Sequence, residues 1–377
     1  AILDDEAALL ERWRRCTRNT GMRYLRSPGV HHLDLASMSL QQFARSGPGR
    51  GDDPPFTRPY SRPALDLFDR HCDAVMARYE METLHVRGRA NSLEIQAECV
   101  RVGFDARGID RAPNALEAKR VILALGAPHE PFWPAWAQSV AAVSSKAGRA
   151  RAVRHIFDPG FELDAPARGE TVAVVGAGIS GAQVAIRLAR EGARVLLLSR
   201  HALRIHQFDS DSGWQGPKYM AGFARLKDYD ERRSRIRKAR HRGSIPRDVH
   251  SALCRAQKDG TIQHFAGVEV GAAGLSGERV SLDLGDRTLE VDRVLLATGY
   301  PSRRPGAGWL DEAIEAHDLP CADCGYPIVD RGLRWHPRVL VTGALAELEL
   351  GPVSRNLSGA RRAGDRIVSV ARPDWHY

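Results

Sequence analysis

The sequence predicts a parallel α/β fold, and three observations carry that expectation. Short Val/Leu-rich runs recur along the chain and end at glycine, in residues 119–126, 171–176, 292–299 and 338–343. Segments with helical apolar spacing lie between them, and buried strands alternating with helices form parallel sheets. One run, TVAVV, passes through GAGISG into AQVAIRLAREG and then into ARVLLLSR, which reads as strand, glycine turn, helix and strand.

Taken in order, Ala1-Ile2-Leu3 followed by Asp4 reads as the end of a buried strand closed by an acid. Residues 46–63 (SGPGRGDDPPFTRPYSRP) read as a loop, rich as they are in turn formers. Leu65, Leu67, Phe68, Cys72, Val75, Met76 and Tyr79 share one helical face, which predicts a helix over 64–79. Alternation at 93–97 and 100–104 predicts a small antiparallel layer. Residues 119–126 read as a buried strand, followed by Ala127-Pro128 and a Pro/Trp-rich connector. Residues 200–260 read as mostly helical and polar, broken at Gly213-Trp-Gln-Gly-Pro-Lys218, and a last helix is expected from about Ser354 to Val370.

At 377 residues the chain is long enough for two domains, and 43% hydrophobic with 27% charged residues is an ordinary globular composition. The longest apolar runs, such as Val195 to Leu198, are strand-sized, so no membrane span is expected. Six scattered cysteines point to reduced thiols in a cytoplasmic protein. The net charge of +9 is partly local, because residues 225–242 hold nine basic residues against three acidic ones. A solvated helical face is the expectation for that run, with attraction of an anionic cofactor as the alternative. No nucleic-acid motif accompanies it, so nucleic acid is not an expected partner. The expected partner is a small-molecule substrate, and a homo-oligomer is left open.

The glycine run is the strongest signal. Gly176 lets the chain leave the strand tightly, Gly178 lets a pyrophosphate approach the backbone, and Gly181 lets helix pack closely on strand. At the end of the second strand an NAD site wants an acid, whereas Ser199-Arg200-His201 stands here. Arg200 would clamp a 2′-phosphate and Ser199 would donate to it, which predicts NADPH.

These motifs resemble the two-dinucleotide-fold flavoprotein monooxygenases, which include flavin-containing monooxygenases and amine N-hydroxylases. The matching stretches are VILALGAP, GAGISG with Ser180, LLATGYP with Thr298 and Gly299, and the spacing from Asp292 to Pro305. The resemblance implies two Rossmann-like domains with parallel sheets and helices on both faces, the NADPH domain inserted in the FAD domain. The implied division is 1–168 and 296–377 for FAD, and 169–295 for NADPH. Leu125 departs from the usual Thr in the first ATG-like turn. Asp4 becomes the FAD ribose acid at the end of that domain's second strand, which about 30 residues with a glycine loop should precede. The FAD site is therefore expected to be incomplete within these 377 residues. Met22 to Pro28, with Arg26 and Ser27, resembles the loop beside the flavin ring. Gly343 and Asn356 resemble the flavin-facing C-terminal segment.

The activity implied is that NADPH reduces FAD, reduced flavin takes O₂ to a C4a-hydroperoxide, and a small nitrogen or sulfur nucleophile accepts oxygen. An NADPH-dependent disulfide or quinone reductase is the alternative, and a non-enzymatic NADPH-binding protein is a third. Cys321-Ala-Asp-Cys324 sits in a Pro/Gly-rich connector, which disfavours a redox pair. Trp214, Lys218 and Tyr219 are either a substrate or nicotinamide wall or ordinary interface packing. No catalytic side chain and no metal ligand is singled out.

Overall fold

The computed structural model describes residues 1–46, 53–106, 114–126 and 130–371. Residues 47–52 of the expected loop and the Ala127-Pro128 turn lie outside the described residues.

The chain opens with β1 (Ile2–Asp4), α1 (Glu11–Thr20), α2 (Ser39–Arg45), the short strands β2 (Phe56–Thr57) and β3 (Arg62–Pro63), and α3 (Leu65–Arg78). The helix expected over 64–79 is α3, and its apolar face packs Leu67, Phe68 and Cys72 against Leu25 and Leu40. Next come β4 (His85–Ile95), β5 (Val100–Ala106), β6 (Ala115–Ala118) and β7 (Val121–Leu123). The strands β4, β5 and β6 form the antiparallel layer, while β1 runs parallel to the first residues of β4. β7 is shorter and less buried than its apolar run predicts, because Ile122 faces outward at a sheet edge. Among the described residues, neither the second edge of β1 nor that of β7 carries a strand partner.

The next elements are α4 (Ala135–Lys146), β8 (Val153–His155), β9 (Thr171–Val175), α5 (Ile179–Arg190), β10 (Arg194–Ser199), β11 (Arg204–Ile205), α6 (Pro217–Ala224) and α7 (Tyr229–Ala239). They are followed by β12 (Ser244–Ile245), α8 (Arg247–Lys258), β13 (Ile262–Ala266), β14 (Ala272–Ser276), β15 (Arg279–Asp283), β16 (Thr288–Val291) and β17 (Arg293–Leu296). A parallel sheet in the order β13-β10-β9-β17-β8 forms its centre. β8 joins this sheet from before residue 169, the point where the sequence division begins the inserted domain. Helices α5 and α8 cover one face through Val184, Leu188 and Leu253. The other face carries α4 and the antiparallel β14-β15-β16 layer rather than helices alone, with Val140, Val280 and Leu282 in contact with Leu196 and Leu296.

The chain ends with α9 (Trp309–Ala316), β18 (Arg334–His336), β19 (Val339–Val341), α10 (Glu347–Leu350) and α11 (Leu357–Ala371). β19 pairs in parallel with β7, so the C-terminal segment returns to the first unit. α11 starts at Leu357 rather than near Ser354, because Pro352–Arg355 form a 3₁₀ turn and the Asn356 carboxamide oxygen accepts from the Gly359 N–H at 3.0 Å. Among the described residues no helix is long and apolar enough to cross a membrane.

Candidate functional site

The site is built on the glycine turn between β9 and α5. Gly176 has φ of 111°, and its N–H donates to the Leu198 carbonyl at 2.8 Å. A side chain there would press on the Ala297 carbonyl at the end of β17. A methyl group on Gly181 would overlap the Gly176 carbonyl, so the helix reaches the strand only because glycine stands there. Gly178 caps α5 with extended backbone, and a methyl group there would lie 3.6 Å from the Gly243 Cα. Ser180 stands in the first turn of α5. The first N–H groups of an α-helix have no partner within the helix, so the start of α5 favours an anion, as does the helix dipole.

Arg200 is exposed just past β10, with Glu269 3.9 Å away, a loose surface pair that leaves the guanidinium available. Ser199 departs from its expected role. It is buried, its hydroxyl donates to the His201 carbonyl at 2.8 Å, and it meets His264 Nε2 at 2.8 Å. It shapes the strand end and is not turned toward a phosphate.

Thr298 and Gly299 lie beside the glycine turn at the end of β17. The Thr298 hydroxyl donates to the Phe132 carbonyl, and His155 Nε2 lies 3.1 Å away. His155 Nδ1 accepts the Phe157 N–H at 3.1 Å, so the network assigns the proton to Nε2, which donates to Thr298. Burial pushes His155 down to about 3, and burial with His32 nearby pushes His71 down to about 4. Both rings are neutral in the folded chain, while the unfolded chain binds their protons near the ordinary value of 6.5. Their contribution is therefore complete above about pH 6.5 and is lost as pH falls toward 4 and then 3. The loss is up to about 1.4 kcal/mol per pH unit for each ring. Urea melts between pH 7 and 4.5 should show this decline, and His155→Gln should flatten it. An unchanged slope in the variant would rule out His155 as a source.

The flavin-side residues divide. Asp4 ends β1, where a ribose acid belongs, and one of its oxygens accepts the Glu6 N–H at 2.8 Å. Gly343, with φ of 60°, turns the chain after β19. Asn356 uses its side-chain oxygen as the cap of α11, accepting also from the Ser358 hydroxyl at 2.9 Å, and that oxygen is spent inside the protein. Arg26 is likewise committed elsewhere. It donates to the carbonyls of Gln207 at 2.7 Å and His206 at 2.9 Å, and to the Ser244 hydroxyl at 2.8 Å, so it braces the inserted unit. Ser27 follows it, half-buried.

The basic run is solvated over most of its length, as expected, with Arg225, Lys227, Arg235, Arg237, Lys238 and Arg242 exposed, but two of its members turn inward. Arg232 pairs with Glu349 at 3.0 Å, and buried Arg233 pairs with buried Glu347. Arg355 also holds Glu347, at 2.7 Å, and donates to the Tyr326 hydroxyl at 2.8 Å. The Arg233 guanidinium lies 4.1 Å over the Tyr326 ring. These residues latch α7 onto the C-terminal segment, and sequence reasoning missed Glu347, Arg355 and Tyr326. The only local signal was an acid-rich ELEL among otherwise apolar neighbours.

Trp214 is buried against Phe223, Tyr326, Leu348 and Val353, which is interface packing, yet it also lines a cavity of about 480 Å³. Tyr219, Asp211, Glu231, Lys238 and His241 share that lining. Cys321 and Cys324 are free thiols in the 320–327 turn, and burial pushes the Cys321 thiol up, opposite to what a reactive thiolate needs.

Residues 54–213 match the model of the pyridine nucleotide-disulphide oxidoreductase family. No curated protein matches the chain in sequence. Among solved structures, an ornithine hydroxylase from Pseudomonas aeruginosa is 16% identical with a TM-score of 0.70, covering 98% of this chain and 90% of its own. An ornithine N-hydroxylase from Kutzneria sp. 744, seen with reduced FAD, NADP⁺ and L-ornithine, is 17% identical with a TM-score of 0.70, covering 100% and 93%. An L-lysine 6-monooxygenase from Pseudomonas syringae is 19% identical with a TM-score of 0.65, covering 99% and 91%.

Proposed function

We propose that this chain, which has the two-dinucleotide flavoprotein fold, is an FAD- and NADPH-dependent oxidoreductase that hydroxylates a small nitrogen or sulfur nucleophile. The observation that carries the reading is the glycine turn: three glycines, two of them forced by contacts with Gly176 and Ala297, open a twelve-residue helix toward an exposed arginine. Those residues fit NADPH. Gly178 admits the pyrophosphate, the α5 N–H groups meet its charge, and Arg200 takes the 2′-phosphate. On the flavin side the fit is partial: Asp4 is placed for a ribose and Gly343 for a turn at the flavin, whereas Arg26 and Asn356 are spent on contacts inside the protein. When bound, FAD would supply hydride acceptance and oxygen activation.

The chain's own part is to hold and enclose. Arg232, Arg233, Glu347 and Arg355 fix the inserted unit against the segment at Gly343, so both dinucleotides would be held at one geometry. The cavity beside Trp214 suits a small polar substrate, its two carboxylates, Asp211 and Glu231, being balanced by Arg235 and Lys238, and a nitrogen nucleophile is favoured by likeness to the ornithine N-hydroxylase. The raised Cys321 thiol speaks against the disulfide-reductase alternative.

The nucleotide half is tested by titrating NADP⁺ and NAD⁺ against wild type and Arg200→Ala. Wild type should prefer NADP⁺ by about ten- to a hundredfold, the worth of a charge-assisted contact. The variant should lose the preference. Equal affinities in wild type would overturn the NADPH reading.

A further inference from the structure

The turn that leaves α7 crosses directly over the glycine loop. Gly243 stands in van der Waals reach of the position that a side chain of Gly178 would occupy. The turn is held from three sides. Arg26 donates to the Ser244 hydroxyl, the Ser244 hydroxyl donates to the His241 carbonyl at 2.6 Å, and β12 pairs with β11. The His241 ring stacks on His206 with centroids 3.8 Å apart. The exposed side chain at the apex is Arg242, whose one side-chain hydrogen bond among the described residues goes to the Ser302 hydroxyl at 3.2 Å. Among the described residues no carboxylate pairs with it.

The charge around it is unbalanced. Arg233, Arg237, Arg240, Arg242 and Arg355 come together with two carboxylates, Glu347 held by Arg233 and Arg355, and Asp209 3.5 Å from Arg240. Burial first and Arg355 second hold Arg240 and Arg242 below the usual arginine range. Five guanidiniums sharing two carboxylates leave a surplus that an anion would neutralise.

On the reading that residues 176–181 take a nicotinamide dinucleotide, we propose that Arg242 is a further ligand of its pyrophosphate, carried over the glycine loop by the Arg26-braced turn. Arg200 and Arg242 then have separate tasks. Arg200 reads the 2′-phosphate, which only NADP carries, whereas Arg242 binds a group that NADP⁺, NAD⁺ and ADP-ribose share.

The test is calorimetric titration of NADP⁺, NAD⁺, ADP-ribose and 2′-AMP against wild type, Arg242→Ala, Arg200→Ala and Arg237→Ala. Arg237 is an exposed residue of α7 whose charge acts on Arg242, so its removal reads the general electrostatic effect without altering the turn. Arg242→Ala should weaken NADP⁺, NAD⁺ and ADP-ribose alike by about tenfold. It should leave 2′-AMP unchanged and lower the salt dependence of NADP⁺ binding, with an unchanged melting temperature. Arg237→Ala should weaken binding by less than about a third of the Arg242→Ala effect on a logarithmic scale, and a loss as large as that of Arg242→Ala would overturn a direct contact by Arg242. Equal binding by Arg242→Ala and wild type, or a loss confined to NADP⁺ and 2′-AMP, would overturn the assignment. Failure of wild type to bind any dinucleotide would instead overturn the underlying nucleotide reading.

Discussion

Glu347→Leu is expected to destabilise the chain by about 3–5 kcal/mol, the cost of leaving the buried Arg233 and the half-buried Arg355 without their carboxylate. Glu347 is 1% exposed and receives both Arg233 and Arg355. Removing it strands two cations between α7 and the C-terminal segment, where among the described residues neither has another carboxylate within contact. The triple replacement Glu347→Leu, Arg233→Met and Arg355→Met removes charge and partner together and should recover most of the loss. Denaturant melts of the two variants decide the matter. A single variant as stable as wild type would mean that the latch carries no load.

Gly181→Ala is expected to abolish dinucleotide binding and to cost about 1–3 kcal/mol or more of stability, since the new methyl overlaps the Gly176 carbonyl inside a packed helix–strand contact. Gly178→Ala makes the informative contrast. Its methyl would meet only Gly243, at ordinary contact distance, so the fold should survive with little change in melting temperature. The same methyl occupies the approach to the α5 N–H groups, so NADP⁺ affinity should fall by more than tenfold. Melting and titration of both variants separate the two glycines. Full NADP⁺ affinity in Gly178→Ala would show that the pyrophosphate lies elsewhere.

The glycine turn, α3 and the parallel sheet were legible in the sequence because each rests on local sterics or periodicity. Gly176 and Gly181 have one steric reason to be glycine wherever a strand turns into a helix. The fates of Ser199, Arg26 and Asn356 were not legible. Each is a polar side chain whose partner is chosen by tertiary structure: the His201 carbonyl and His264, the Gln207 and His206 carbonyls, and the Gly359 N–H. Asn356 could have been read as a cap, since it precedes the helix. Within the basic run, the inward turn of Arg232 and Arg233 was hidden for the same reason, because their acidic partners Glu349 and Glu347 lie more than a hundred residues on. Gly243 meets Gly178 only in three dimensions, and a single-chain pattern holds no trace of that contact.

The central claim, oxygen transfer driven by NADPH, is tested most directly by an oxygen balance on the FAD-loaded protein. NADPH, O₂ and a small primary amine are supplied, and NADPH oxidised, O₂ consumed, H₂O₂ released and hydroxylamine formed are measured together. The account predicts that the amine raises O₂ uptake and that hydroxylated product matches NADPH consumed, with little H₂O₂. NADPH oxidation that yields only H₂O₂ with nitrogen and sulfur nucleophiles alike, or that proceeds without O₂ onto a disulfide or quinone, would contradict it.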